Sequence, residues 1–361
     1  MGRYNSNFMT MFRILNLSDS IIWNNYLSSI PSNQSDVYFT PEYYSLYEAY
    51  GDGEAMCFVF EKDGDLALYP FLKNAITLLG YELDREYYDI QGAYGYNGVV
   101  SSTTEKTFIT AFWEAFDVWC QENDVIAEFM RFHPLMKNHL LGEGHFKLIH
   151  DRNTVFLDLT QSEDDIFAGF DKGTRQHIRK AAKSIEIRPA ERTEENVQIF
   201  NRIYRENMEH VNSIPYLFFN LQHFRNMFQQ DNIEFFIAWQ NDIPIACYSG
   251  LVSEEYYGNY LRASLTEFNR TGVNTLMYWS MIQSAKSHGC HYVHFGGGTS
   301  GDPENSLLHY KMNFSKTLSE FWIGKKVHNQ AIYDQVVEQW KTKHPDSYQA
   351  HKVMLLGYRE I

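Results

Sequence analysis

Two stretches of the sequence, "CFVFEKDGDLALYPF" (Cys57–Phe71) and "FFIAWQNDIPIACYSG" (Phe235–Gly250), share one pattern. Each has an apolar run, a short polar segment and a second apolar run, which is the pattern of a β-hairpin. Phe58 and Phe236 occupy equivalent positions, and about half of the 361-residue chain separates them. The repetition predicts that the chain is built from two similar units.

The sequence around the two hairpins repeats as well. A helix-like stretch precedes each hairpin, and an amphipathic helix, a short break and a buried strand follow it, as in "AFWEAFDVWCQENDVIAEFMRF" and "TLMYWSMIQSAKSHGCHYVHFG". A hairpin inside each unit requires antiparallel pairing, so we expect an α/β (α+β) fold with mixed sheets. The predicted domains are residues 1–150 and 151–361.

The composition of the chain limits the kinds of partner and cellular location that we expect. The formal net charge is −14, which opposes loose binding to DNA or to anionic membranes. Four well-separated cysteines indicate neither a zinc ribbon nor a disulfide framework. The first thirty residues contain no apolar signal segment, and no later run is long enough to span a membrane. We therefore expect a cytoplasmic protein.

Five strings in order resemble the FemAB-like branch of the GNAT acyltransferase superfamily: "YDIQGAYGYNG", "EFMRFHPLMKN", "GTRQHIRKAAKSIEI", "TGVNTLMYWSMIQSAKSHGCHYVHFGGG" and "SLLHYKMNFS". The resemblance implies two tandem GNAT-like domains around a shared cleft. It also implies transfer of an acyl or aminoacyl group to an amine or hydroxyl of a peptidoglycan or polysaccharide precursor, with acyl-CoA or aminoacyl-tRNA as the donor.

The donor loop departs from the family pattern. GNAT proteins that use acyl-CoA carry [RQ]-x-x-G-x-[GA], where backbone N–H groups at a helix start hold the phosphates. The matching string here is "NRTGVN", so Gly272 fits and Asn274 does not. These two residues are the predicted cofactor-binding positions. The sequence also lacks room for the long helical arm of the tRNA-dependent family members.

A basic run supplies candidate phosphate ligands. Arg175, Arg179 and Lys183 recur at i, i+4 and i+8 and are predicted to share one helix face. Such a face can bind a nucleotide-linked substrate or a tRNA end, because arginine binds phosphate in a bidentate manner. A solvated face that balances an acidic protein is the alternative.

Other candidates for substrate binding come from both halves. Arg131 and His133 are predicted to lie on one face of a strand, beside Tyr94 and Tyr96 of a glycine-spaced loop. Tyr260 and Arg262 precede the "NRTGVN" loop on a second strand. Local packing of these side chains is the alternative explanation.

Two residues are predicted to be catalytic. Lys311 in "NSLLHYKMNF" adjoins the apolar stripe of a helix, and the matching lysine is characteristic of the resembled family. His294 ends a strand and is a candidate general base. His288, His291 and His294 do not converge on one metal, because a separation of three residues puts strand side chains on opposite faces. No metal is therefore predicted.

Gly296, Gly298 and Gly301 form a literal G-x-G-x-x-G. The sequence after them predicts a helix capped by Asp302, with Pro303 and Glu304 in its first turn. Acids at that end oppose a pyrophosphate, so a nucleotide-dependent oxidoreductase is disfavoured. The remaining alternatives are an acyl-CoA-dependent N- or O-acyltransferase acting on a nucleotide sugar and a non-catalytic binding protein.

Overall fold

The structure is a computed structural model, and it describes residues 11–361. These residues form two compact units. The first unit contains the chain up to Asp151 together with Phe321–Ile361, and the second unit is Arg152–Glu320.

The strands are β1 (Met11–Asn16), β2 (Glu54–Lys62), β3 (Asp65–Ala75), β4 (Tyr88–Gln91), β5 (Val100–Ser101), β6 (Val125–Arg131), β7 (Lys147–Asp158), β8 (Glu186–Pro189), β9 (Ile233–Gln240), β10 (Ile243–Val252), β11 (Tyr256–Ser264), β12 (Tyr292–Gly297) and β13 (Leu318–Val327). The helices are α1 (Ser20–Leu27), α2 (Pro41–Tyr50), α3 (Lys106–Glu122), α4 (Glu163–Gly169), α5 (Lys172–Ala181), α6 (Glu194–His210), α7 (Leu221–Met227), α8 (Val273–Ser287), α9 (Ser306–Lys311), α10 (Gln330–Lys343) and α11 (Pro345–His351).

Both predicted hairpins are present, as β2–β3 and β9–β10. The turn residues Asp63 and Gly64 have φ of 55° and 93°, and Asn241 and Asp242 have φ of 50° and 61°. Two consecutive left-handed residues match the twist of the flanking strands, and Asp, Asn and Gly adopt that conformation most readily. Local turn chemistry therefore fixes the register of both hairpins.

The strands of the two units follow the same order. In the first unit the order is β1-β2-β3-β4-β6-β13, with β5 beside β3, and only the pair β4–β6 is parallel along this path. In the second unit it is β8-β9-β10-β11-β12-β7, and β11–β12 is the parallel pair. The prediction of two α/β units with mixed sheets is confirmed.

The sheets are covered by the amphipathic helices that the sequence indicates. In the first unit, α3 buries Phe112 and Phe116 against Phe58 and Tyr69 of the hairpin. In the second unit, α5 and α8 pack on one sheet face, and α6 contacts β10 and β11. No helix among residues 11–361 has the length and apolar composition needed to cross a membrane.

The C-terminal segment Phe321–Ile361 belongs to the first unit, whereas the sequence assigned it to the second domain. Strand β13 pairs with β6, and the side chains of α10 complete an apolar cluster on Ile76 and Ile126. Arg359 and the Tyr358 hydroxyl both bond the fully buried Asp89 carboxylate. The assignment was wrong because the partners of this segment are distant in sequence.

We expect Arg359→Ala to lower the free energy of unfolding by about 3 kcal/mol, because it removes the cation that faces a buried carboxylate. Arg202→Ala is the control, since Arg202 forms an exposed pair with Glu206 and its loss should change stability by less than about 1 kcal/mol. Urea unfolding measures both. Equal, small effects would show that the Asp89 pair does not hold the C-terminal segment.

Candidate active site

Lys311 is the last residue of α9. The helix begins at Ser306, and the Asn305 side chain accepts hydrogen bonds from the backbone N–H groups of Leu307 and Leu308 at 3.1 and 3.2 Å. The predicted cap at Asp302 was wrong. Asp302 instead accepts from the Glu304 N–H at 2.9 Å within the preceding turn, so the helix starts after both acids.

The chain before α9 packs closely against this cap. A Cβ atom at Gly298 would lie 2.4 Å from Asn305 Oδ1, so only glycine fits there. This close approach brings the end of β12 next to the end of α9, and Lys311 Nζ donates to the Gly297 carbonyl oxygen at 2.6 Å. The close approach at Gly298 thus helps to place Lys311.

Lys311 is only 7% exposed, which is unusual for a lysine. Its neighbours on the helix and in the following turn, Leu308 and Phe314, belong to the apolar core with Tyr278 and Phe295. Burial, together with the charges of Arg262 and Arg152, lowers the pKa of Lys311 to about 7. Near neutral pH this amine therefore exchanges a proton readily.

Arg262 lies beside Lys311 and is held by an aromatic ring. Its guanidinium carbon is 4.1 Å from the centroid of Tyr278. Its Nη1 atom is buried and has no hydrogen-bond partner among the described residues. A buried donor of this kind is costly unless a ligand satisfies it, so it indicates an anion site.

A cavity of about 790 Å³ opens at the start of α8. Its cationic lining residues are Lys180, Arg262 and Arg270, and His177 adds a titratable ring. Among the described residues that line it there is no aspartate or glutamate. In a chain with net charge −14, an acid-free cavity with three cations is suited to an anionic ligand.

The "NRTGVN" loop forms one wall of this cavity. Gly272 (φ 87°) precedes α8 and cannot cap it with a side chain. The Asn274 side chain donates to Ser264 Oγ and Asn269 Oδ1 at 3.1 and 3.2 Å, which secures the loop. The Val273 N–H donates to Thr271 Oγ1 at 3.3 Å, and Gly272 has no side chain to cap the other N–H groups of the first turn of α8, which are of the kind that bind phosphate.

The predicted basic face on α5 is not formed. The helix ends at Ala181, before Lys183. Arg175 Nη1 donates to the carbonyl oxygens of Ala168 and Phe170, and Arg179 lies 5.2 Å from the Phe167 ring. Arg175 is therefore bonded to local carbonyl groups, and Arg179 packs on an aromatic ring. His177 and Lys180, from the same run, line the cavity instead.

The first-unit candidates have structural partners. Strand β6 ends at Arg131, so His133 lies in the following turn and not on the predicted strand. His133 Nε2 is 3.0 Å from Asp36 Oδ2, and its Nδ1 accepts from the Met136 N–H. Arg131 donates to the carbonyl oxygens of Gly92 and Ala93 at 3.3 and 3.4 Å.

The tyrosines of the glycine-spaced loop also pack locally. The Tyr94 carbonyl accepts from the Tyr43 hydroxyl at 2.5 Å, and the Tyr96 ring packs edge-on against Tyr38 and His133. These contacts describe a rigid aromatic cluster within the first unit.

The structure does not bring His294 and Lys311 together on one sheet face. Val293 and Phe295 of β12 face the core under α8, so His294 between them points to the opposite face. Tyr260 lies on β11 with Arg262. His288 and His291 pair with Glu234 and Glu255 at 2.8 and 2.7 Å.

Sequence reasoning missed Arg152, His177, Lys180, Arg270 and Tyr310. Lys180 lies in the basic run, and Arg270 lies in the "NRTGVN" loop. A correct helix end for α5 would have shown that Lys180 is on the helix and Lys183 is not. Arg152, whose Nη1 donates to the Gly298 carbonyl at 2.9 Å, has no local signal, because the contact joins strand β7 to the end of β12.

Comparisons with known proteins agree with this geometry. Residues 169–312 match the family model described as an acetyltransferase (GNAT) domain. Among solved structures, FemX has a TM-score of 0.69 at 14% identity, covering 90% of this chain and 99% of FemX. Comparison with curated proteins finds no match.

Two further structures share the fold. L-PGS from Bacillus licheniformis has a TM-score of 0.56 at 12% identity, covering 86% of this chain and 92% of L-PGS. A tandem GNAT protein from the clavulanic acid biosynthesis pathway has a TM-score of 0.52 at 7% identity, covering 89% of this chain and 99% of that protein. At these identities the similarity establishes the fold alone.

Residues 169–312 therefore match a GNAT acetyltransferase domain, and the chain shares the fold of tandem GNAT structures, which supports an acyltransferase. The predicted tandem GNAT-like fold is confirmed, and the matched residues lie in the unit that contains Lys311, Arg262 and the acid-free cavity.

The lowered pKa of Lys311 predicts a pH-dependent stability. In the unfolded chain its pKa is near 10.5, so between pH 7 and 10.5 the unfolded state binds more protons and stability rises with pH. The penalty for burying the ammonium is fully present below pH 7. Relative to wild type, Lys311→Met should therefore be more favourable at about pH 6 than at about pH 9.5.

Urea unfolding of both proteins at the two pH values measures this difference, and Lys341→Met, at an exposed position, is the control. A stability difference for Lys311→Met that does not change with pH would contradict the lowered pKa.

Proposed function

We propose that the protein transfers an acyl or aminoacyl group from a phosphate-bearing donor to an amine or hydroxyl of a bacterial cell-envelope precursor in the cytoplasm. The observation that carries the proposal is the buried Lys311 beside Arg262, which itself lines the acid-free cavity. The fold similarity to FemX and L-PGS supports the envelope class of acceptor, of the peptidoglycan or polysaccharide type.

The donor occupies the cavity at the start of α8 in this proposal. Acyl-CoA and aminoacyl-tRNA both carry phosphates, and the first-turn N–H groups of α8, Lys180 and Arg270 are suited to bind them. Gly272 matches the acyl-CoA loop pattern and Asn274 does not, so the donor is either of these two classes.

Lys311 and Arg262 act on the reacting carbonyl. The acceptor nitrogen or oxygen bonds to the acyl carbon, the ester or thioester bond of the donor breaks, and negative charge develops on the carbonyl oxygen. Cations held in a dry site stabilise that charge more than they do in water. His294 faces away from Lys311, and the charged Lys311 has no lone pair to accept a proton, so the proton of the acceptor group passes to a group of the substrate.

We expect Lys311→Met to lower kcat about 10²- to 10³-fold, the usual effect of losing one donor to a developing oxyanion. Lys341→Met, on an exposed part of α10, should keep full activity. Steady-state transfer assays give the values, and circular dichroism checks that the variant folds. Unchanged turnover in Lys311→Met would exclude a role in the reaction.

Lys180 and Lys183 provide a matched pair for the donor site. Lys180 lines the cavity and Lys183 does not, although both are exposed lysines of one basic run. Lys180→Gln should weaken donor binding about fivefold, equivalent to about 1 kcal/mol, and Lys183→Gln should leave it unchanged. Arg262→Gln should weaken it at least about tenfold, because that charge is partly buried.

The donor class is identified by thermal shift with coenzyme A, acyl-CoAs, charged tRNA, UDP-linked muropeptides and NAD. Stabilisation by coenzyme A or charged tRNA, lost in Arg262→Gln, is the expected result. Stabilisation by NAD alone would contradict the proposal, and absence of both binding and turnover would favour a non-catalytic protein.

A further inference from the structure

We propose that the first unit contains a binding site for a divalent transition-metal ion, with Zn²⁺ as the best match, formed by Asp117, His145 and His328. The site lies in a different unit from the candidate active site, and the proposal is independent of the proposed function. The three ligands come from α3, from the loop before β7 and from the residue after β13.

The ligand atoms have the spacing of a tetrahedral site. Asp117 Oδ1 lies 3.6 Å from His145 Nδ1 and 3.5 Å from His328 Nδ1, and the three atoms fall within 4.8 Å of one another. Bonds of about 2.1 Å from Zn²⁺ to nitrogen and oxygen place tetrahedral ligand atoms about 3.4 Å apart. The two separations from Asp117 Oδ1 are therefore close to those of a tetrahedral site.

A buried carboxylate orients both histidines. Glu128 is fully buried, and its Oε1 atom accepts from His145 Nε2 and lies 3.3 Å from His328 Nε2. Both rings thus turn Nε2 towards Glu128 and Nδ1 towards Asp117. A carboxylate behind a histidine fixes the tautomer in which the other nitrogen is a free ligand, as in many zinc sites.

This orientation requires a cation between the ligands. When His145 Nε2–H is donated to Glu128, its Nδ1 carries a lone pair and faces the Asp117 carboxylate. Lys326 supplies a cation in this structure, with Nζ 2.6 Å from Asp117 Oδ1 and 2.9 Å from His145 Nδ1. The ammonium is therefore a stand-in at the position that a metal ion would take.

Lys326 leaves part of the site unsatisfied. Its contacts reach Asp117 and His145, while His328, only 7% exposed at its side chain, has its Nδ1 atom 3.5 Å from Asp117 Oδ1. A metal ion would bind His328 as well. The Lys326 side chain is 19% exposed, so it can move to solvent when the ion enters.

The surroundings provide access and rigidity. A cavity of about 480 Å³, lined in part by Trp113, Asp117, Glu143 and His145, adjoins the site and has room for a water molecule as the fourth ligand. The Trp113 ring stacks on His145 with centroids 3.6 Å apart and fixes the ring plane. Three protein ligands and one solvent position are typical of an accessible zinc site.

The test is titration of the full-length, chelator-treated protein with Co²⁺ and Zn²⁺. We expect one Co²⁺ per chain with the visible absorption of tetrahedral coordination, its displacement by Zn²⁺, and a higher Tm with Zn²⁺. Absence of Co²⁺ absorption together with absence of Zn²⁺ binding at micromolar free metal would overturn the proposal.

Variants assign the ligands. Asp117→Asn, at a half-exposed side chain that tolerates replacement, and His328→Gln should each weaken Zn²⁺ binding at least about tenfold, and Glu128→Gln about 10- to 100-fold. Lys326→Met should strengthen binding, because the competing ammonium is gone. His291→Gln, at an exposed histidine of the second unit, is the control. Unchanged affinity in both Asp117→Asn and Lys326→Met would place the metal elsewhere and overturn the assignment.

Discussion

The burial of one lysine constrains the whole candidate active site. Lys311 gives up most of its hydration for a hydrogen bond to the Gly297 carbonyl, so its position costs free energy that the surrounding core must offset. The core does so with the stacked rings of Tyr278 and Phe314 beneath α9. Tyr278 also lies under the Arg262 guanidinium, so the same ring that packs the core holds the second cation. The position of Arg262 therefore depends on the same Tyr278 ring that packs the core beneath α9.

The two units share a topology but differ at equivalent helix starts. In the second unit α8 follows Gly272, which has no side chain to cap the helix, and cationic side chains lie beside this helix start. In the first unit α3 follows Glu105, an acid that disfavours phosphate at a helix N-terminus. The glycine-spaced loop of the first unit is filled by Tyr94 and Tyr96. The two units thus share a fold, but only the second has a candidate anion site at this helix start, and that unit is the one that the GNAT family model matches.

The parts of the fold that sequence could predict are those set by neighbours along the chain. Asp63–Gly64 and Asn241–Asp242 define two hairpins through their own backbone preferences, and the apolar face of α3 is visible in its spacing. The C-terminal segment could not be assigned, because the pairing of β13 with β6 and of Arg359 with Asp89 joins distant residues. The candidate site was predicted at Lys311, Arg262 and Gly272. It was missed at Lys180, because the i, i+4, i+8 pattern of Arg175, Arg179 and Lys183 needs a helix that reaches Lys183, and α5 ends two residues earlier at Ala181.

The cations of the second unit also couple donor binding to proton uptake. Arg262 lines the cavity and, with Arg152 and burial, holds the pKa of Lys311 at about 7. A phosphate beside Arg262 would offset that repulsion and raise the pKa of Lys311 again. By linkage, a donor that favours the protonated lysine binds more tightly when the lysine is protonated, to the same extent that it raises the pKa. The ammonium would then be most fully formed when the acyl group is in place, which is when charge on its carbonyl oxygen must be stabilised.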